Sequence, residues 1–194
     1  MLFNINSITN STKIYKLMSQ TIIPRPIAWI VTKNKDIINI APFSYFTGLS
    51  SNPATCIVSI GHKSDNSPKD TLKNIRDTKK CTICMVDENF LEAMHNSSKE
   101  LPSTISEAEF FDITTKDFFD DYPPIIDGVK VAYACSLNQE VDIGGKTIPI
   151  ILNIEHIFVD DKIIDENLNI DFKPIARVGK AYASLCNLKT LKRV

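Results

Sequence analysis

Between Ile27 and Val159 the chain breaks into short runs of β-branched and aromatic residues, each closed by a turn before it reaches helical length. Ile27-Ala28-Trp29-Ile30-Val31-Thr32 stops at Lys33-Asn34-Lys35-Asp36, and Ile37-Ile38-Asn39-Ile40 stops at Ala41-Pro42. Thr55-Cys56-Ile57-Val58-Ser59-Ile60 and Cys81 to Val86 have the same character. Such runs read as strands. Val129 to Val141 and Ile148 to Val159 read as a long hairpin turning at Gly144-Gly145, and Asp160-Asp161 turns the chain again into Ile163-Ile164. Two stretches read as helical. One opens at Ser67-Pro68-Lys69-Asp70, with Ser67 as N-cap, Pro68 at the first helical position and Leu72 and Ile75 on one face; the other is Glu88 to Asn96. Residues 1–20 read as a short strand and turn, and 97–127 as loop. Many strands, close turns and few short helices specify a mainly β chain, a closed or nearly closed antiparallel barrel. Without a repeat, linker or low-complexity segment, residues 1–194 read as a single domain. There is no βαβ alternation and no G-x-G-x-x-G, so a Rossmann dinucleotide site has no support.

Charge narrows the partners. Lys and Arg total 22 against 23 Asp and Glu, a formal net charge of -1, with no basic excess for nucleic acid or an anionic membrane. Apolar stretches fall far short of the roughly 20 residues of a membrane helix, and Met1-Leu2-Phe3-Asn4-Ile5-Asn6 lacks the pattern of a signal peptide. Five scattered Cys, an odd number, read as reduced thiols, and a cytoplasmic protein is expected.

Four segments could carry chemistry. At Ser67–Thr71 a helix start offers free N–H groups, Lys69 a full positive charge and Thr71 a hydroxyl, a combination suited to phosphate; a capped surface helix with a solvated Lys is the plainer reading. Asn39 to Ser51 sets small hydroxyls beside aromatics in an irregular stretch that could line a planar ring, or simply pack on a barrel end. Cys81-x-x-Cys84 lies in a strand, where an odd separation points the two thiols to opposite faces, so it reads as structural rather than as a redox pair. His62, His95 and His156 have no metal-ligand spacing with these Cys. In Arg177-Val178-Gly179-Lys180-Ala181-Tyr182, Arg177 could meet an anion or a polar ring edge and Gly179 could allow close approach, or the segment is an ordinary turn. No nucleophile–base set and no distinctive carboxylate pair appears.

In chain order, Pro24-Arg25-Pro26-Ile27-Ala28-Trp29, Asn39-Ile40-Ala41-Pro42-Phe43-Ser44-Tyr45-Phe46, Asn52-Pro53, Lys69-Asp70-Thr71-Leu72-Lys73-Asn74-Ile75 and Arg177-Val178-Gly179 resemble the flavin reductase-like family, which includes the flavoredoxins. The order and spacing carry the resemblance, which spans about residues 15–185. It implies an FMN-binding split β-barrel of Greek-key type, holding FMN non-covalently at a homodimer interface. Lys69, Asp70 and Thr71 match the phosphate-side motif. Asn39 and Ala41, Pro42, Phe43, Ser44, Tyr45, Phe46 and Thr47 match the segment lining the ribityl chain and ring. Arg25, Ile27, Ala28 and Trp29 match the strand beside it, and Arg177 an element near the flavin. The family usually has a second Gly after Gly179, where this chain has Lys180. Residues 97–127 match poorly. The implied activity is NAD(P)H-dependent flavin reduction, with electrons passed to free flavin, a partner protein or a metal complex, and the flavin itself doing the chemistry. Rival implications are a pyridoxamine-phosphate-oxidase-like enzyme, an FMN electron carrier without nicotinamide turnover, and a barrel that has lost its flavin.

Overall fold

The computed structural model describes residues 1–185. Its strands are β1 (Arg25–Pro26), β2 (Ala28–Asn34), β3 (Ile37–Phe43), β4 (Phe46–Ser51), β5 (Ala54–Gly61), β6 (Lys80–Met85), β7 (Thr115–Lys116), β8 (Ile125–Ile126), β9 (Val131–Glu140), β10 (Thr147–Val159), β11 (Ile175–Val178) and β12 (Ala181–Ser184). The helices are α1 (Ser11–Thr21), α2 (Asp70–Thr78), α3 (Leu91–Asn96) and α4 (Glu107–Phe110). Seven strands make one antiparallel sheet in the order β3-β2-β6-β9-β10-β5-β4. Its two edges, β3 and β4, are consecutive in sequence and joined by Ser44-Tyr45, so the sheet curls round while β3 and β4 share no ladder. The result is a barrel split along one seam. Going round it, β2 to β5 follow one another; the chain then crosses through α2 to β6 beside β2, and β9 and β10 lead back to β5.

Both faces of the sheet are covered. Ala28, Ile30, Val58, Ile83, Ile150 and Leu152 fill the inside together with Leu72 and Ile75 of α2, which therefore serves as a plug as well as a crossover. Trp29, Val31, Ile40, Cys84 and Ala132 face outward into a second cluster with Met94 of α3 and residues of the 108–129 segment. Burial on both sides explains why β2 is an unbroken apolar run instead of an alternating one. A separate sheet, β1-β11-β12, pairs Arg25 with Arg177 and Pro26 with Ala176, carrying the C-terminal motif back to the N-terminal one.

Three local expectations need correction. Residues 11–21 form helix α1: Asn10 caps it by accepting from the N–H groups of Thr12 and Lys13. The chain does not leave the sheet at Ala41-Pro42, because Pro42 sits within β3 opposite Trp29. Ile38 and Ile40 turn their backbone polar groups to the free edge, and Pro42 shares their parity, so its missing N–H costs no ladder bond. Ser67 is not the N-cap of α2. Its carbonyl accepts from Lys63 N–H, its hydroxyl binds Asp65 and Pro68 bridges to His62, so the chain stays extended until Lys69, and α2 starts at Asp70 with no side-chain cap.

Candidate flavin site

Two depressions that share Ser98 lie beside β3, between the start of α2 and the β11–β12 hairpin. At one end is a crevice bordered by Lys63, Lys69, Asp70, Thr71, Asn39, Ala41, Ser98 and Lys99. Ser98 also borders the next depression, formed by Ile27, Pro42, Phe43, Ser44, His95, Arg177 and Tyr182. Ten of the sixteen residues expected at a cofactor border one or the other depression: Ile27, Asn39, Ala41, Pro42, Phe43, Ser44, Lys69, Asp70, Thr71 and Arg177.

The crevice end is built around the uncapped first turn of α2. The first N–H groups of α2 have no intrahelical partner and no side-chain cap, and the positive end of the helix dipole lies there. Lys63 pairs with Asp70 at 2.7 Å, whereas Lys69 has no ion pair among the described residues. The Thr71 hydroxyl is committed inward, donating to Asn39 Oδ1 at 2.8 Å. At the opposite end Arg177 donates from Nε to Gly179 O at 3.1 Å, and its guanidinium carbon lies 4.4 Å from the Tyr182 ring centre. His95 Nδ1 and Tyr182 Oη are 3.0 Å apart. Gly179 has φ +56°, and a Cβ there would stand 3.2 Å from Gln20 Cγ, so glycine is favoured at this turn. Lys180 does not have positive φ, and the departure from the family at that position brings no backbone strain.

The other six residues lie elsewhere. Ala28 and Trp29 are wholly buried in the two cores, and the Trp29 indole donates to Ser97 Oγ at 2.9 Å. Arg25, Tyr45, Phe46 and Thr47 border a further apolar depression, which shares Ser44 with the ring-side one, together with Met18 of α1 and Ile22 just after it. The Arg25 guanidinium is buried, donating to the carbonyls of Ser19 and Ile22. Sequence reasoning missed Lys63, Ser98, Lys99 and Glu107 at the crevice, and Tyr15, Met94, His95 and Tyr182 at the far end. Glu107 and Lys99 lie in a segment without periodicity, and only the fold brings them to β3.

A sequence model of the flavin reductase like domain matches residues 18–176. The chain belongs to the flavin reductase-like family. An uncharacterized protein of Aquifex aeolicus is 36% identical over 178 residues, covering 90% of each chain. The crystal structure of nitrilotriacetate monooxygenase component B from Bacillus cereus superposes with a TM-score of 0.91 at 27% identity, covering 98% of each chain. A flavin reductase structure with a split barrel domain from Shewanella frigidimarina has a TM-score of 0.83 at 21% identity over the whole of both chains. The last likeness bears on the fold alone. The flavin reductase-like chain is therefore a split barrel and a flavin oxidoreductase of that family. No helix among the described residues is long and apolar enough to cross a membrane.

The chemistry of the residues lining the two depressions suits the two ends of a flavin nucleotide. An uncapped helix start beside an unpaired ammonium suits a phosphate ester. A mixed polar and aromatic wall at the other end suits a planar ring with polar edges.

Proposed function

We propose that this chain is an FMN-dependent reductase that takes reducing equivalents from NADH or NADPH and hands them to a partner protein, free flavin or another small acceptor. The observation that carries this reading is the pair of depressions sharing Ser98, one bordered by Lys69, the α2 start, Asn39 and Ala41 and the other by Pro42, Phe43, Ser44 and Arg177. Lys69 and the free N–H groups of α2 would hold the phosphate. Ala41, Pro42 and Phe43 would lie beside the ribityl chain and ring, with Ile27 and Ser44 flanking and Arg177 at a polar edge. Arg25, Tyr45, Phe46 and Thr47 would support that wall from the neighbouring depression, and Ala28 and Trp29 from the core. The bound flavin would supply the hydride and electron chemistry; the protein holds and shields it. The likeness to a monooxygenase component supports a protein as the electron acceptor.

We read the assembly as a homodimer. Tyr15, Met18, Ile22 and Ile23 are exposed on and after α1, and Leu49 is exposed on the edge strand β4. A second copy covering this face would also bury the free edge of β4. The four described cysteines are free thiols, which suits the reducing cytoplasm.

The deciding experiment is anaerobic titration of FMN-loaded protein with each nicotinamide. Bleaching of the flavin's visible absorption is expected. A bound flavin that dithionite bleaches but neither NADH nor NADPH does would make the chain an electron carrier, and failure to retain any flavin would make it a scaffold.

A further inference from the structure

Strand β3 is a free edge of the seven-stranded sheet, and α4 lies along it. The Ser106 hydroxyl donates to Ile38 O at 2.8 Å, and Glu107 Oε2 accepts from Ile40 N–H at 3.1 Å. Two consecutive side chains thus stand in for a neighbouring strand.

Glu107 has a further partner that Ser106 lacks. The same Oε2 accepts from Asn39 Nδ2 at 2.9 Å. The Asn39 amide thus turns its NH₂ toward Glu107, whose Oε2 also accepts from Ile40 N–H, and its oxygen toward α2. That oxygen accepts from Thr71 Oγ1 at 2.8 Å and from Thr32 Oγ1 at 3.2 Å, and Asn74 Nδ2 donates to Thr32 Oγ1 at 3.0 Å. Glu107, Asn39, Thr32, Thr71 and Asn74 are all buried. Thr71 is the second residue of α2 and Lys69 immediately precedes the helix, so the network ends on the turn that faces the crevice.

We propose that Glu107 is a positioning residue for the phosphate end of the site: by orienting the Asn39 amide it clamps Thr71, and with it the first turn of α2 and Lys69, against β3. This rests on the assignment of the α2 start as the phosphate site. A buried, fully directed network holds one geometry because reversing any amide sets like poles together. A carboxylate bordering an anion crevice also opposes the ligand's charge, so a neutral acceptor of the same shape should serve at least as well.

The test measures dissociation constants for FMN and riboflavin, by quenching of flavin fluorescence, in the wild type, Glu107→Gln, Glu107→Ala and Glu107→Met. Glu107→Ala should weaken FMN tenfold or more while changing riboflavin less than threefold. Glu107→Gln, which keeps an acceptor oxygen, should bind FMN within threefold of the wild type or more tightly. Glu107→Met fills the volume without accepting; it should show the same FMN-selective loss, and it takes the place of the Ala variant if cavity formation unfolds the latter. Equal losses for both ligands would leave Glu107 as a cover for the sheet edge only and overturn the proposal. So would an unchanged FMN preference in the Ala and Met variants, or a Gln variant as impaired as they are. A wild type that binds FMN and riboflavin equally would instead remove the phosphate assignment itself, and the proposal with it.

Discussion

Lys63 and Asp70 form an ion pair of 2.7 Å at the mouth of the crevice, which leaves Lys69, the residue just before Asp70, as a cation without an ionic partner among the described residues. The two lysines border the same space but are not equivalent. Lys63 is already neutralised, and Lys69 carries a charge that a phosphate can meet without first breaking a bond. Hydrogen bonds to charged groups contribute about 1.5–3 kcal/mol, so Lys69→Ala should weaken FMN binding roughly ten- to a hundredfold. Riboflavin, which has no phosphate, should bind nearly as before. Fluorescence titration with both ligands checks this; equal weakening would put the lysine's effect on the ring or on folding.

The cysteines should be chemically silent. Cys81 and Cys84 fall in the inner and outer clusters respectively, as an odd separation along a strand requires. Cys81 stands opposite Cys135 in the β6–β9 ladder, and a hydrogen bond with Cys135 and burial push the Cys56 thiol upward. Burial pushes Cys84 up to about 12. Since the thiolate is the nucleophile, a disulfide reagent should meet no reactive group at neutral pH while the barrel is closed. In a Cys186→Ser background, the native protein should leave all four described thiols unmodified, and denaturant should release four. Rapid labelling of Cys81 or Cys84 in the native protein would reopen a dithiol role. Replacing both with Ala should lower stability and leave flavin reduction intact.

The barrel was legible because its signal is local. β2, β5, β6 and the β9–β10 hairpin appear in the sequence as β-branched runs with turns at their ends. What was not legible depended on partners distant in sequence. Pro42 reads as a strand stop until the edge position of β3 is known, where its lack of an N–H is harmless. Ser67-Pro68 reads as a helix start until the 62–68 loop folds back on itself and delays α2 to Asp70. Arg25 reads as a ligand residue, and its links to the carbonyls of Ser19 and Ile22 and to the Ser44 hydroxyl appear only in the fold. Glu107 gives no local signal at all, because its role exists only once α4 lies on β3.

Tyr45 offers a test of the wall between the two depressions. Its hydroxyl is buried without a hydrogen-bond partner among the described residues, and burial raises its pKa. An unmet buried polar group typically costs about 1–3 kcal/mol. Tyr45→Phe should therefore leave the melting temperature unchanged or raise it, as followed by circular dichroism. A clear loss of stability would show that the hydroxyl has a partner in solution, for which the second copy of a homodimer is the first candidate; repeating the melt over a range of protein concentrations would then expose that linkage.

The pH dependence of stability should carry the mark of Glu107. Burial raises its pKa, outweighing its own backbone N–H and the N–H groups of Asn39 and Ile40, which favour the charged form. Below the unfolded carboxyl value, about 4.3, both states hold the proton and the group contributes nothing to the pH slope. As pH rises through that value the unfolded chain releases its proton first, while the native protein still binds it. The native state then holds more protons than the unfolded one, so stability falls with pH until the native pKa is passed. This is the opposite of a salt-bridged carboxylate such as Glu140, whose pKa is lowered chiefly by its hydrogen bond with Arg76. Glu107→Gln has no proton to release. The melting temperature of Glu107→Gln minus that of the wild type should therefore grow as pH rises above about 4.3, and level off once the native pKa of Glu107 is passed. Taking the difference cancels the other carboxylates, apart from Asp70, whose charge also acts on Glu107. A difference that stays flat or shrinks across that window would mean that the Asn39 and Ile40 donors outweigh burial, and that Glu107 enters the network as a fully stabilised carboxylate.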